Sequence, residues 1–240
     1  GRDIYRQGWL SCRYPAWLMA THTLTLHPSE KELTLTILCF HTAASTLAIF
    51  DDAASGLTRD SSPLNHLLLP SLLAEAERSG GMTAELRCRI AQLIKAMLPQ
   101  FDAVLITCST LGPVADDFSV QDRVMRTDGM LAAALQRHTG PTVALCAAES
   151  TLAATRALFC QPGSQTEVAL VEDAWAAFKA GETTRYFALI AAAAEQAYQQ
   201  GAVAVALAQS SMTPVAQKFP APRRPLTGPH LALQACYDLR

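Results

Sequence analysis

The sequence lacks most of what would tie a protein to nucleic acid, to a membrane or to a bound cofactor. Lysine and arginine total 19 against 21 aspartate and glutamate, a formal net charge of −2. No stretch interleaves basic with aromatic residues as a phosphate-tracking surface requires, so nucleic acid is not an expected partner. No run of about 18 uncharged apolar residues occurs, which gives no membrane span. Gly-rich phosphate loops, flavin motifs and Cys/His ligand spacings are missing, and the expectation is chemistry with no cofactor and no metal. The seven cysteines, at positions 12, 39, 88, 108, 146, 160 and 236, are odd in number and form no CxxC. They read as reduced thiols.

The first residues do not read as an export signal. Residues 1–18 carry no initiator Met and mix Trp9, Tyr14 and Trp17 with Arg2, Arg6 and Arg13, so no clean apolar stretch precedes a small-residue cleavage site. Reduced thiols without a signal peptide predict a cytoplasmic protein. Residues 1–33 read as an N-terminal extension, upstream or cloning-derived, with Met19 a plausible start; the alternative is a packed arm.

What is present is a chain half apolar (50%) and 17% charged, which is too hydrophobic for disorder. Short apolar runs alternate with longer amphipathic or Ala-rich segments, the pattern of βα units around a parallel sheet. Strands are expected at Leu35–Phe40, Ala103–Thr107, Thr142–Cys146, Glu167–Val171 and Val203–Ala208, with a return strand near the C-terminus. Helices are expected at Leu68–Arg78, Met82–Leu98, Gly129–Arg137, Ser150–Leu158, Asp173–Ala180 and Thr183–Gln200.

An internal repeat organises these elements. Val104–Ala115 can be laid over Val205–Ala216 without a gap, and Ser45-Thr46-Leu47-Ala48 over Ser150-Thr151-Leu152-Ala153 at nearly the same offset. The alternative is that any two strand-to-helix turns share small polar residues and a proline. Duplication predicts an α/β fold of two similar three-layer αβα lobes with parallel sheets, related by a pseudo-two-fold, with a cleft between them. The expected division is 34–126 plus about 217–240 for the first lobe and 127–216 for the second.

The strand-end turns would then face one another across that cleft. Carboxyl ends of parallel strands present free N–H groups and helix dipoles, which together suit a carboxylate. Ser45, Ser109, Thr110, Ser150, Thr151, Ser210 and Ser211 fall there as candidate substrate-binding residues, although each could equally be a helix cap. Cys108 ends an apolar strand immediately before Ser109-Thr110. Helix-terminal donors in that setting would lower a thiol from about 8.5 toward neutrality and make it base or nucleophile; the competing reading is a buried core thiol. Cys146, also at a strand end, is ambiguous, and the other cysteines read as structural. His41 and His66 are further candidates, as proton carriers or as cap residues.

These residues resemble the aspartate/glutamate/hydantoin racemase superfamily over about residues 34–217. The resemblance rests on Cys108-Ser109-Thr110 after a strand and a matched turn a hundred residues later, Leu207-Ala208-Gln209-Ser210-Ser211-Met212. It also includes His41-Thr42, Asn65-His66 leading into Leu72–Ala76, Arg126-Thr127-Asp128, Glu149–Leu152 and Thr155–Leu158. It implies two-domain, cofactor-independent enzymes of the isomerase or lyase type, often dimers or larger, acting on small carboxylic acids or amino-acid-like substrates. A homo-oligomer is expected on that ground alone.

The chain departs from the family where it matters most. The second family cysteine aligns with Gln209, whose amide has no accessible pKa near neutrality and can neither remove nor deliver a proton. The pattern is therefore that of a single-cysteine subgroup, and the resemblance implies Cys108 as acid, base or nucleophile in a decarboxylase-like or isomerase reaction, with Thr42 and Gln209 joining Ser109, Thr110 and Ser210 as binders of carboxylate or enediolate oxygens. The alternative is a non-catalytic carboxylate-binding protein of the same fold.

Overall fold

A computed structural model describes residues 35–57 and 63–239; the N-terminal extension lies outside the described residues. Two four-stranded parallel sheets carry the chain. The first holds β1 (Ile37–His41), β2 (Asn65–Leu68), β3 (Ala103–Ile106) and β4 (Val124–Arg126) in the order β2-β1-β3-β4. The second holds β5 (Thr142–Cys146), β6 (Thr166–Leu170), β7 (Ala204–Leu207) and β8 (Leu226–Thr227) in the matching order β6-β5-β7-β8. The expected α/β fold of two similar parallel-sheet lobes is what the chain adopts.

The central strands are apolar because helices cover both their faces. β1 and β3 are buried at every position, and so is β7. On one face of the first sheet, Leu38, Phe40, Val104 and Ile106 meet α3 (Ala84–Met97) through Leu86, Ile90 and Ile94. That spacing of four makes the stripe of one helical face. Thr83 caps the helix by accepting from the Leu86 N–H at 3.1 Å, and Glu85 and Lys95 sit at the ends the macrodipole favours.

The other face shows how the lobes interlock. Helix α8 (Gly228–Tyr237) follows β8 of the second sheet yet packs on the first, placing Ala232, Leu233 and Cys236 against Ile37, Cys39, Leu105 and Phe50 of α1 (Ser45–Ser55). Helix α4 (Thr127–Gln136) does the reverse, burying Leu131 and Leu135 against Ala144, Cys146 and Val168 of the second sheet. The second sheet's remaining face is covered by α6 (Ala174–Lys179) and α7 (Thr183–Gln199), while α5 (Glu149–Phe159) buries Phe159 beside α4. Both copies of the sequence repeat fall on equivalent elements: β3 and β7 with the 3₁₀ segments after them, and the first turns of α1 and α5.

Expected strands and helices differ from the observed ones by one or two residues at their ends. Four elements were not expected. β2 and β4 are short edge strands of mixed polarity, and β2 occupies the residues read as leading directly into α2 (Pro70–Arg78). Pro70 at the first helical position keeps Leu69 out of the helical region, at φ −129° and ψ 79°, so the helix starts there and the preceding residues pair with β1. Helix α1 buries only Thr46 and Phe50 completely, too thin a stripe for periodicity, and α8 is masked by the prolines before it.

The N-termini of α4 and α8 approach so closely that a Cβ on Gly228 would stand 2.7 Å from Thr127 Cγ2 and 3.3 Å from the Thr127 carbonyl oxygen. Gly228→Ala should cost about 1–3 kcal/mol in chemical denaturation. In a Thr127→Ser background, which removes the methyl but keeps the hydroxyl that donates to the Ile106 carbonyl, that cost should fall by at least half.

Candidate active site

The carboxyl ends of the two sheets meet at a cavity of about 30 Å³, room for a water or two in this closed form. The first lobe contributes Thr42 after β1, Thr46 on α1, and Thr107, Cys108, Ser109 and Thr110 after β3. The second contributes Ala148 before α5 and Gln209, Ser210 and Ser211 after β7. Leu73 of α2 and Trp175 of α6 complete the wall. Cys108 and Gln209, at equivalent ends of equivalent strands, line the same small space.

The Cys108 sulfur sits among donors. The N–H groups of Thr110 and Leu111 and the hydroxyls of Thr42 and Thr110 are the groups around it that favour the thiolate. Burial outweighs them and pushes the thiol up. This corrects the expectation of a lowered thiol: the donors are present, but the cost of burying the anion exceeds what they return.

Gln209 is fixed from the other side. Its Oε1 accepts from the N–H groups of Ala147 and Ala148 at 2.5 and 2.9 Å, at the end of β5. Those two donors determine which way the amide faces, since Nε2 cannot accept a hydrogen bond. The carboxamide thus occupies backbone donors that would otherwise be open to an anion, and its own NH₂ remains as the donor on that wall.

Several hydroxyls expected to bind substrate make bonds within the protein, most of them from one lobe to the other. Thr151 Oγ1 donates to Ser109 Oγ at 2.8 Å, and Thr110 Oγ1 lies 3.3 Å from Ser150 Oγ. Ser210 Oγ donates to the Thr107 carbonyl at 2.8 Å, and Ser211 Oγ bonds the buried Tyr186 hydroxyl at 2.7 Å. Thr151 lies buried behind Ser109, and Ser150 faces a neighbouring cavity rather than this one. Ser45 is exposed in the first turn of α1, away from the pocket.

His41 and His66 are brought together behind the first-lobe wall. His41 Nε2 and His66 Nδ1 are 2.8 Å apart, His66 Nε2 meets Asp51 Oδ1 at 2.8 Å, and His41 Nδ1 lies 2.8 Å from both Thr46 Oγ1 and Thr107 Oγ1. Burial, reinforced by the neighbouring His66, lowers His41 to about 3, so its ring is neutral. With Cys39 the two histidines form a cluster of ligand-type atoms within 4.8 Å. Two imidazoles on one tetrahedral zinc stand about 3.3 Å apart at Zn–N of about 2.0 Å; nitrogens at 2.8 Å share a proton instead.

The other cysteines among the described residues stand apart from the pocket. Cys146 is fully buried, and burial pushes its thiol up to about 11. Cys39 and Cys236 are buried, whereas Cys88 and Cys160 are exposed. Sequence reasoning missed Thr107, although it adjoins Cys108, and Leu73 and Trp175, for which nothing local gave a signal. Trp175 Nε1 donates to Glu77 Oε1 at 2.7 Å, tying α6 to α2 over the pocket.

Replacing Gln209 with Leu should cost about 1–3 kcal/mol, because the Ala147 and Ala148 N–H groups lose their acceptor in a buried place. Gln209→Glu, which keeps an oxygen there, should cost less; denaturant melts of both variants check this.

No family model and no curated protein matches the chain. Solved structures do. The aspartate racemase of Picrophilus torridus superposes with a TM-score of 0.66 at 13% identity, covering 85% of this chain and 93% of that one. The glutamate racemase of Francisella tularensis, solved with D-glutamate, gives 0.62 at 14% identity over 85% and 80%. The allantoin racemase of Pseudomonas fluorescens gives 0.52 at 14% identity over 85% and 90%. With its paired parallel sheets and a pocket between their carboxyl ends, the chain has the fold of the aspartate/glutamate/hydantoin racemase superfamily.

Proposed function

We propose that this protein is a cofactor-independent enzyme of that superfamily, acting on a small carboxylic acid or amino-acid-like substrate through Cys108. The observation that carries the reading is the placement of Cys108, beside donors of Thr42, Thr110 and Leu111, in a small pocket that the fixed amide of Gln209 also lines. Among the superposed structures, one glutamate racemase holds D-glutamate, a small carboxylate.

Gln209 makes a conventional two-cysteine racemisation impossible, since no second acid or base stands at its position. One-cysteine chemistry remains. Because burial holds Cys108 as the thiol at neutral pH, its natural first role is acid. In a decarboxylase-like reaction the C–C bond breaks and CO₂ leaves, the bond's electron pair passes into an enediolate, and the carbon of that intermediate then takes the Cys108 proton, leaving the thiolate. The Gln209 amide and the nearby N–H groups would stabilise the charge on the intermediate's oxygens. The same fixed amide and raised thiol also favour, as a second reading, a carboxylate-binding protein without turnover.

Incubation with substituted malonates, maleate, hydantoins and amino acids in deuterated water should give CO₂ release, solvent deuterium incorporation or isomerisation with at least one. Cys108→Ser should lower that activity by at least about 100-fold. Activity should hold through neutral pH and fall only on the alkaline side of the ordinary thiol range, as the thiol ionises. Activity untouched by Cys108→Ser would remove the cysteine from the mechanism, and carboxylate binding without turnover would establish the second reading.

A further inference from the structure

The strongest feature outside the pocket is the string of hydrogen bonds that runs to it from the surface. It begins at the Asp51 carboxylate on α1, whose side chain is 57% exposed, and passes to His66 on β2, 15% exposed. It continues to His41 on β1, which has no exposed surface, and ends on Thr46 and Thr107 in the pocket wall. Every link is 2.8 Å.

The hydroxyls determine the protonation of this string. Thr46 Oγ1 donates to the Ala43 carbonyl at 2.7 Å and Thr107 Oγ1 to the Phe40 carbonyl at 3.1 Å. Each hydroxyl has one proton, so both can face His41 Nδ1 as acceptors only if that nitrogen carries the hydrogen. His41, being neutral, then accepts at Nε2, and the donor must be His66 Nδ1–H. His66 also faces the Asp51 carboxylate through Nε2, which completes an imidazolium paired with a carboxylate. All the bonds are satisfied with one proton stored on His66.

The geometry points to a proton store that serves the pocket: Asp51, His66 and His41 hold one proton and exchange it with the cavity through the hydroxyls of Thr46 and Thr107. This assignment rests on the Cys108 reading for its purpose, because a thiol that has given its proton to a substrate must regain one. In that step Thr46 or Thr107 turns its O–H from the main-chain carbonyl toward the cavity, and the proton passes from that oxygen to the Cys108 thiolate. The hydroxyl takes the Nδ1 proton of His41, and His41 takes the Nδ1 proton of His66 at Nε2. His66 is left neutral, still donating from Nε2 to Asp51, and the thiolate is neutralised. Charge and protons balance, and Asp51 opens the outer end to solvent.

The store lies in the same lobe as Cys108, so it suits restoring that thiol rather than supplying a proton to the opposite face of a substrate. His41, His66 and Asp51 are on this account positioning residues. The titratable groups packed around the pair are Asp51 of α1 and Cys39 of β1, with Cys236 of α8 facing Cys39.

The test needs no substrate. Imidazole ¹⁵N shifts of the full-length protein, followed from pH 5 to 9, should show the pair taking up a single proton while His41 stays neutral throughout. Asp51→Asn, an exposed and conservative change, should move that step to lower pH by about one unit, a tenfold loss of proton affinity. Alkylation of Cys108, read on its own peptide by mass spectrometry, should show an inflection at the same pH that disappears in His66→Gln. Two independent histidine titrations, or a Cys108 profile unchanged in His66→Gln, would overturn the store. Neither result bears on whether Cys108 acts on a carboxylate, so the two proposals fail separately.

Discussion

The structure depends on the locking of two strand-end turns across the interface between the sheets. Ser109 and Thr110 of one lobe meet Thr151 and Ser150 of the other, and Ser210 reaches back to the Thr107 carbonyl. These are short side chains, so the turns can bond only if the carboxyl ends of the sheets nearly touch. The crossed helices α4 and α8 enforce that approach from behind, where a glycine is required because no side chain fits against Thr127. The pocket is the space left between the locked turns, which is why it is small and why its polar groups are nearly all engaged.

Within that space the two halves have diverged chemically while keeping the same backbone. The first lobe's turn surrounds a sulfur with donors and then buries it, producing a thiol that is held in place and slow to ionise. The second lobe's turn offers backbone donors of the same kind but fills them with its own carboxamide. In the function proposed above, this asymmetry separates the roles of the walls: one side moves a proton and the other orients an oxygen.

The fold was legible in the sequence because it is written in long-range periodicity. Central strands buried on both faces give continuous apolar runs, and the repeat of Val104–Ala115 in Val205–Ala216 exposed the duplication. The edge strands β2 and β4 were not legible, since half-exposed three- and four-residue segments have no period to read. The site was legible in part: a strand-end cysteine and its amide counterpart could be placed from the repeat. The partners of the hydroxyls could not, because Ser109 to Thr151 or Ser210 to Thr107 are contacts between distant turns that local sequence does not encode. The thiol's direction of shift was misread for the same reason, as donors are visible in a motif and burial is not.

The central claim is that a small carboxylate sits between Cys108 and Gln209, and protection of the thiol tests it most directly. The rate of Cys108 alkylation by iodoacetamide should fall several-fold in millimolar concentrations of at least one small mono- or dicarboxylate, with no change at the exposed Cys88 and Cys160. Cys108 alkylation that no carboxylate slows, or slowing that is equal at all three cysteines, would contradict it.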